Sequence, residues 1–204
     1  MDKDFTRNWP DYYQAVTGGP PRETLREALK RFERHKPADS PRFAVDLGCG
    51  EGRDTIELLK QGWRVLAIDS HPEGIKRLLK RPDLPPYAEG LETCLLRFED
   101  AHWPDADLVN ASFSLPFCPP ESFASLWDKI VRSLRPGGRF AGQLFGDQDD
   151  WATISTLTHH TRQQVKALLQ PFEIEVLDEV EQEGKTALNQ PKHWHLFHIV
   201  ARKQ

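Results

Sequence analysis

The chain is predicted to fold as an open α/β structure, a Rossmann-like doubly wound, mostly parallel sheet of seven strands with helices on both faces. Three observations carry this. Short apolar runs alternate with amphipathic stretches from Phe43 onward, a glycine-rich turn follows the first run, and two long strand-like runs with no helix between them come last. An aromatic opening with Trp9, Tyr12 and Tyr13 is broken by Thr17-Gly18-Gly19-Pro20-Pro21, and a helical pattern then covers about 22–35. Residues 1–40 read as an N-terminal flap and helix packed on a core domain of 41–204. Strand-length runs fall at 43–47, 64–69, 94–98, 107–111 and 139–144, each close to a turn signal. Helical patterns fall between them at 54–61, 72–81 and 122–134, the last stopped by Pro136-Gly137-Gly138. Thr161 with Gln164 forms a capping-box signature for a helix to about Leu169. The final runs, 172–181 and 194–202, are expected to pair antiparallel at one sheet edge.

Composition narrows the function. The 204 residues, 38% hydrophobic and 28% charged, suffice for one good-sized core. A formal net charge of −4 supplies no global positive field for a polyanion, so a nucleic-acid partner is unsupported. Cys49, Cys94 and Cys118 are scattered and include no C-x-x-C pair, which fits free thiols and a cytoplasmic location. The charged stretch 1–7 is unlike a signal peptide, and no apolar run reaches the ~20 residues needed to cross a bilayer.

The informative segment is Val45-Asp46-Leu47-Gly48-Cys49-Gly50-Glu51-Gly52-Arg53-Asp54, where an apolar strand gives way to an amphipathic helix. Three alternate glycines remove Cβ atoms from a tight turn and let a bulky ligand approach the backbone and the helix N-terminus. A dinucleotide fingerprint wants its third glycine one residue later, where Arg53 stands, and a phosphate-binding P-loop would need Gly-Lys-Ser/Thr. Asp69 ends the next apolar strand, roughly 20 residues beyond the loop, a spacing that places a carboxylate to accept hydrogen bonds from both hydroxyls of a ribose. Glu99-Asp100 closes the third strand, so three neighbouring strands bring acids to one edge of the sheet.

On these residues the chain resembles the class I S-adenosylmethionine-dependent methyltransferases, and among them the small branch of tellurite-resistance-type and thiol methyltransferases. The resemblance covers about 43–144. It implies that 41–204 is a methyltransferase domain using S-adenosyl-L-methionine and yielding S-adenosyl-L-homocysteine. It further implies that Asp46 and the loop Gly48, Cys49, Gly50, Gly52 hold the methionine part of the cofactor, with Arg53 reaching its carboxylate. Asp69 and Ser70 would take the ribose, and Asp100 with Ala101 the adenine. Asn110, Ala111 and Ser112 would face the sulfonium and the acceptor, under a cover of Trp9 and Tyr13, since aromatic faces attract cations. Such a reaction rests on in-line placement and exclusion of water, so no catalytic base is assigned.

Other features read more plainly. Glu51 and Asp54 read as surface charges on the first helical turn, and Asp147, Asp149, Asp150 and Trp151 as a solvated loop rather than an acceptor pocket. His193 and His195 share one strand face and His198 the other, so no three-ligand metal site is expected. Cys118 reads as a buried thiol, because Phe117 separates it from Pro116. Amino-methylating enzymes of nucleic acids carry Asn or Asp, two prolines and an aromatic where this chain has Asn110-Ala111-Ser112-Phe113, so the expected acceptor is a small molecule. The alternatives are a protein or RNA side chain presented with a partner's help, and a non-catalytic cofactor-binding sensor or scaffold.

Overall fold

The computed structural model describes residues 8–34, 41–85 and 90–204. The charged opening 1–7, the end of the expected helix at His35 and the domain boundary at residue 40 lie outside them. In chain order the elements are α1 (Trp9–Val16), α2 (Glu23–Glu33), β1 (Phe43–Leu47), α3 (Arg53–Lys60), β2 (Arg64–Asp69), α4 (Pro72–Leu79), β3 (Leu91–Leu95) and β4 (Ala106–Ala111). They continue with α5 (Pro120–Ser133), β5 (Leu134–Gly146), β6 (His159–His160), α6 (Arg162–Leu168), β7 (Phe172–Lys185) and β8 (Pro191–Lys203).

The strands line up as β3-β2-β1-β4-β5-β8-β7, and the two-residue β6 adds to β5 off this path. β1 to β5 run parallel, whereas β8 pairs antiparallel with both β5 and β7. Chain order reverses between β1 and β4, and a crevice opens there at the carboxyl ends of the strands. Alternate residues of the central strands feed two cores. Val45, Val109 and Phe140 pack under α5 and α6, while Ala44, Leu108 and Ala141 pack under α2 and α3. Helices therefore cover both faces.

The structure departs from the sequence expectations at particular points. β3 begins three residues earlier than expected, because this edge strand exposes Leu95 and the flanking Leu96 and pairs through Glu92 and Thr93 instead. The aromatic opening is itself a helix, started by Asn8, whose side chain accepts the Asp11 N–H at 3.2 Å. The Thr161 capping box forms as expected. β7 and β8 extend well past the expected runs, into a long ribbon closed by a turn with Asn189 at φ 61°.

Candidate active site

The glycine loop leaves β1 and starts α3. Gly48, Gly50 and Gly52 all adopt positive φ, at 70°, 55° and 85°, backbone that an L side chain rarely tolerates. Space adds a second constraint. A Cβ on Gly48 would lie 2.4 Å from the Ser114 Cβ, and one on Gly52 would lie 2.2 Å from Leu78 Cδ1. The Gly48 and Cys49 N–H groups donate to the Ile68 carbonyl at 2.8 and 3.0 Å, which ties the loop to β2.

Asp69 holds the loop from the other side. Its two oxygens accept the N–H groups of Gly50 and His71, each at 2.8 Å, and Tyr13 adds a side-chain hydrogen bond. Burial pushes its carboxyl above the usual range, while those donors and nearby His71 pull it back. Asp46 sits deeper. Thr55 Oγ1 donates to it at 2.6 Å and Asn110 Nδ2 at 2.9 Å, and the same Asn110 amide reaches Asp54 at 3.1 Å. Asp54 also accepts the Arg22 N–H at 2.9 Å. Desolvation first, and the Asp54 charge second, push the Asp46 carboxyl up to about 7.

These groups wall a cavity of about 500 Å³ at the crevice between β1 and β4. Asp46, Gly48, Cys49, Gly50, Arg53, Asp69, Ser70, Ser112 and Tyr13 line it, so the structure gathers most of the residues singled out in the sequence, whereas Gly52 does not line it and packs against Leu78. Tyr13 is buried against the Gly50 backbone, and Trp9 stacks on it with centroids 6.0 Å apart. The buried Cys49 thiol is pushed well up by desolvation, then by Asp69.

Several sequence expectations need correction. Asn110 and Ala111 are fully buried beneath the cavity, the former spent on bridging two carboxylates; only Ser112 of the three faces it. Asp100 is exposed and Ala101 belongs to the core, while Arg97, Phe98 and Glu99 take the lining position instead. Because β3 ends at Leu95, the chain turns before Asp100, and the preceding acid is the one brought inward. Glu51 and Asp54 are not surface charges: both are buried, Glu51 paired with Arg81. Arg53 donates to the Val16 carbonyl at 2.7 Å, closing the end of α1 over the loop. Asp149 is not solvated either, since it forms a buried ion pair with Lys192 and accepts the His195 N–H. His193 is shared by Glu181 and Glu183, and His195 contacts Glu179 at 3.1 Å; among the described residues no cluster could hold a metal. Burial pushes the Cys118 thiol up to about 12.

Other lining residues gave no sequence signal. Phe113 has φ 55°, rare for an aromatic, and its N–H donates to Gln143 Oε1 at 2.9 Å. The Arg22 guanidinium lies 4.5 Å from the Phe113 ring centre. Both residues line the first cavity and a second of about 520 Å³ beside it, toward β7 and β8. Trp151, expected in a solvated loop, lines that second cavity.

Residues 44–138 match the family model described as "Methyltransferase domain". The carboxy-S-adenosyl-L-methionine synthase of Shewanella sp. (strain ANA-3) is 33% identical over 138 residues, 65% of this chain and 51% of that protein. The chain thus spans about half the length of the curated relatives it matches. TehB from Haemophilus influenzae superposes with a TM-score of 0.70 at 18% identity, over 87% of this chain and 62% of that one. The 1,6-didemethyltoxoflavin-N1-methyltransferase of Burkholderia thailandensis superposes with a TM-score of 0.64 at 20% identity, over 100% and 93%. No helix among the described residues is long and apolar enough to cross a membrane. With the glycine loop at the carboxyl edge of a 3-2-1-4-5 parallel sheet and the family match over residues 44–138, the chain is similar in fold and in this segment to the class I S-adenosylmethionine-dependent methyltransferases.

Proposed function

We propose that the chain transfers a methyl group from S-adenosyl-L-methionine to a small-molecule acceptor by in-line displacement. The observation that carries this is the positive-φ glycine loop, whose Gly48 and Gly50 line the cavity beside the carboxylates of Asp46 and Asp69. Such a site fits the cofactor: six carboxylates, Asp46, Glu51, Asp54, Asp69, Glu99 and Glu121, line the cavity, matching a ligand that carries an ammonium, a sulfonium and a ribose diol. When bound, that group supplies a methyl already activated by positive sulfur.

The residues of this chain do the rest. Asp69 retains acceptor capacity beyond its three donors, because an ionised carboxylate offers about four lone-pair sites, and the one that remains serves a ribose hydroxyl. Asp46 and the glycine loop hold the amino-acid end, with Arg53 at the cavity wall. Ser70 supports the ribose, and the segment 97–99 faces the adenine. Trp9, Tyr12 and Phe117 roof the cavity and keep water from the reacting line. In this reading 1–40 is the flap and helix over the site, 41–204 is the catalytic domain, and the free thiols fit a cytoplasmic protein.

Calorimetric titration with S-adenosylhomocysteine, followed by its release across thiol, amine, hydroxyl and carboxylate acceptors, tests the reading. Saturable binding with turnover on one acceptor class is expected. Tight binding with no turnover on any acceptor supports a sensor, and rescue by a copurifying partner supports a macromolecular substrate. Asp69→Ala is expected to weaken binding by about 1.5–3 kcal/mol through lost charge-assisted hydrogen bonds. An unchanged dissociation constant removes Asp69 from the site.

A further inference from the structure

The two adjoining cavities differ in charge. The first is rich in carboxylates, whereas among the described residues no Asp or Glu lines the second. Its charged lining consists of Arg22, Arg53 and Lys185, with His198 beside them. Arg22 and Arg53 lie close enough that each opposes the other's charge, and burial together with that repulsion holds the Arg53 guanidinium below its ordinary value. Among the described residues no carboxylate comes within ion-pair distance of the Arg22 side chain, which lies over the Phe113 ring. Arg53 has Glu51 at 3.8 Å and the Asp54 charge nearby, both carboxylates lining the first cavity and not the second. Two half-buried guanidiniums on the wall of a cavity that no carboxylate lines suit an anionic group.

The opposite wall is aromatic. Trp151 and Trp194 meet edge to face at 5.8 Å, Phe145 packs against both, and Phe117 joins them from the cofactor side. The Lys192 ammonium lies beneath these rings but is already neutralised by Asp149, so it holds the cage together rather than serving a ligand. Arg22, Arg53, Phe113 and Phe117 line both cavities, so the second shares a wall with the first.

We propose that the second cavity is the acceptor site and that it takes a planar aromatic anion, its charged group gripped by Arg22 and Arg53 and its ring laid against Phe117, Trp151 and Trp194. The assignment rests on the methyl-transfer reading above. It deepens that reading by naming the acceptor's chemical class, and it separates the roles of the two cavities by sign of charge.

Calorimetry on the full chain saturated with S-adenosylhomocysteine tests it with two isosteric probes, naphthoate and its neutral amide. Naphthoate is expected to bind at least about tenfold more tightly than naphthamide, the factor that one charged hydrogen-bond pair commonly supplies. Arg22→Gln is expected to remove most of that preference while leaving naphthamide affinity within about twofold; the backbone N–H that Asp54 accepts is retained in the variant. Equal affinity for the two probes, naphthoate displaced competitively by S-adenosylhomocysteine, or a preference that survives Arg22→Gln overturns the assignment. The comparison of probes on the unaltered chain does not depend on the variant folding. S-adenosylhomocysteine that fails to bind overturns the methyl-transfer reading instead, and naphthoate titrated alone still reports whether the second cavity selects anions.

Discussion

Asp46 sits where a proton and a cationic ligand compete. Its carboxyl is raised from 3.8 to about 7, so at neutral pH the free protein holds a partly protonated acid under the glycine loop. The sign for stability follows from linkage. Below the ordinary carboxylate value both folded and unfolded chains carry the proton, and the group is neutral to folding. As pH rises through 3.8 the unfolded chain ionises first, so stability falls until about 7 and is flat above it. A ligand ammonium beside Asp46 favours the ionised form and expels the proton. Cofactor affinity is therefore expected to rise with pH toward about 7 and then level off, with proton release on binding. Binding heats measured at about pH 6 in buffers of different ionisation enthalpy read this directly, and buffer-independent heats exclude it. The residues most legible in the sequence were of this kind: Asp46, the glycines and Asp69 stand at chain spacings that the strand-loop-helix unit converts directly into positions. Arg22 and Phe113 were not, because their place in the cavities depends on how α2 and the segment after β4 pack in three dimensions, and within the Glu99-Asp100 pair the turn after β3 decided which acid faces inward.

At the scale of elements, the loop depends on the segment after β4. Ser114 fills the space over Gly48, and its hydroxyl donates to the Leu47 carbonyl at 2.6 Å. Gly48→Ala is expected to destabilise by roughly 1–3 kcal/mol through its left-handed backbone and the crowding of Ser114. Ser114→Gly removes the crowding, so the double variant should cost less than the two single losses added together; simple additivity in chemical denaturation refutes the contact. The antiparallel edge carries a different dependence. Arg139, fully buried on β5, is held by Glu175 of β7 through two hydrogen bonds of 2.7 and 2.9 Å and lies 4.4 Å from the Phe32 ring centre. Glu175→Ala leaves that guanidinium buried without its bidentate partner and is expected to cost about 3–5 kcal/mol. Arg139→Met with Glu175→Leu should recover most of this, as measured by urea midpoints. The order of the strand pair was readable from its missing helix, but its length was not, since Glu179, Glu181 and Glu183 alternate on a ribbon that is polar beyond the core. β3 misled for the converse reason: the apolar run Cys94-Leu95-Leu96 lies partly in solvent at a sheet edge, where hydrophobicity does not report pairing.

At the scale of the whole molecule, α1, the glycine loop and α4 form one connected unit around the cofactor cavity. Tyr13 of α1 lies over Gly50 and bonds Asp69, its hydroxyl stands against Gly74 of α4, and Arg53 of α3 closes the last turn of α1. Ordering any one of these on ligand binding orders the others, because they share the same buried atoms. A ligand that binds only the folded state at about a hundred times its dissociation constant adds about 2.7 kcal/mol to stability. For a chain of this size that is a rise in Tm of roughly 5–10 °C. S-adenosylhomocysteine is expected to produce such a shift and to slow amide exchange in α1 together with the loop and α4. In Tyr13→Ala the two responses should separate: protection of the loop persists at a higher ligand concentration, while α1 exchanges as fast as in the free protein. Protection confined to the loop in the unaltered chain would mean that α1 is a passive cover. Protection of α1 that survives loss of the Tyr13 ring would place the coupling in the Arg53 contact with Val16.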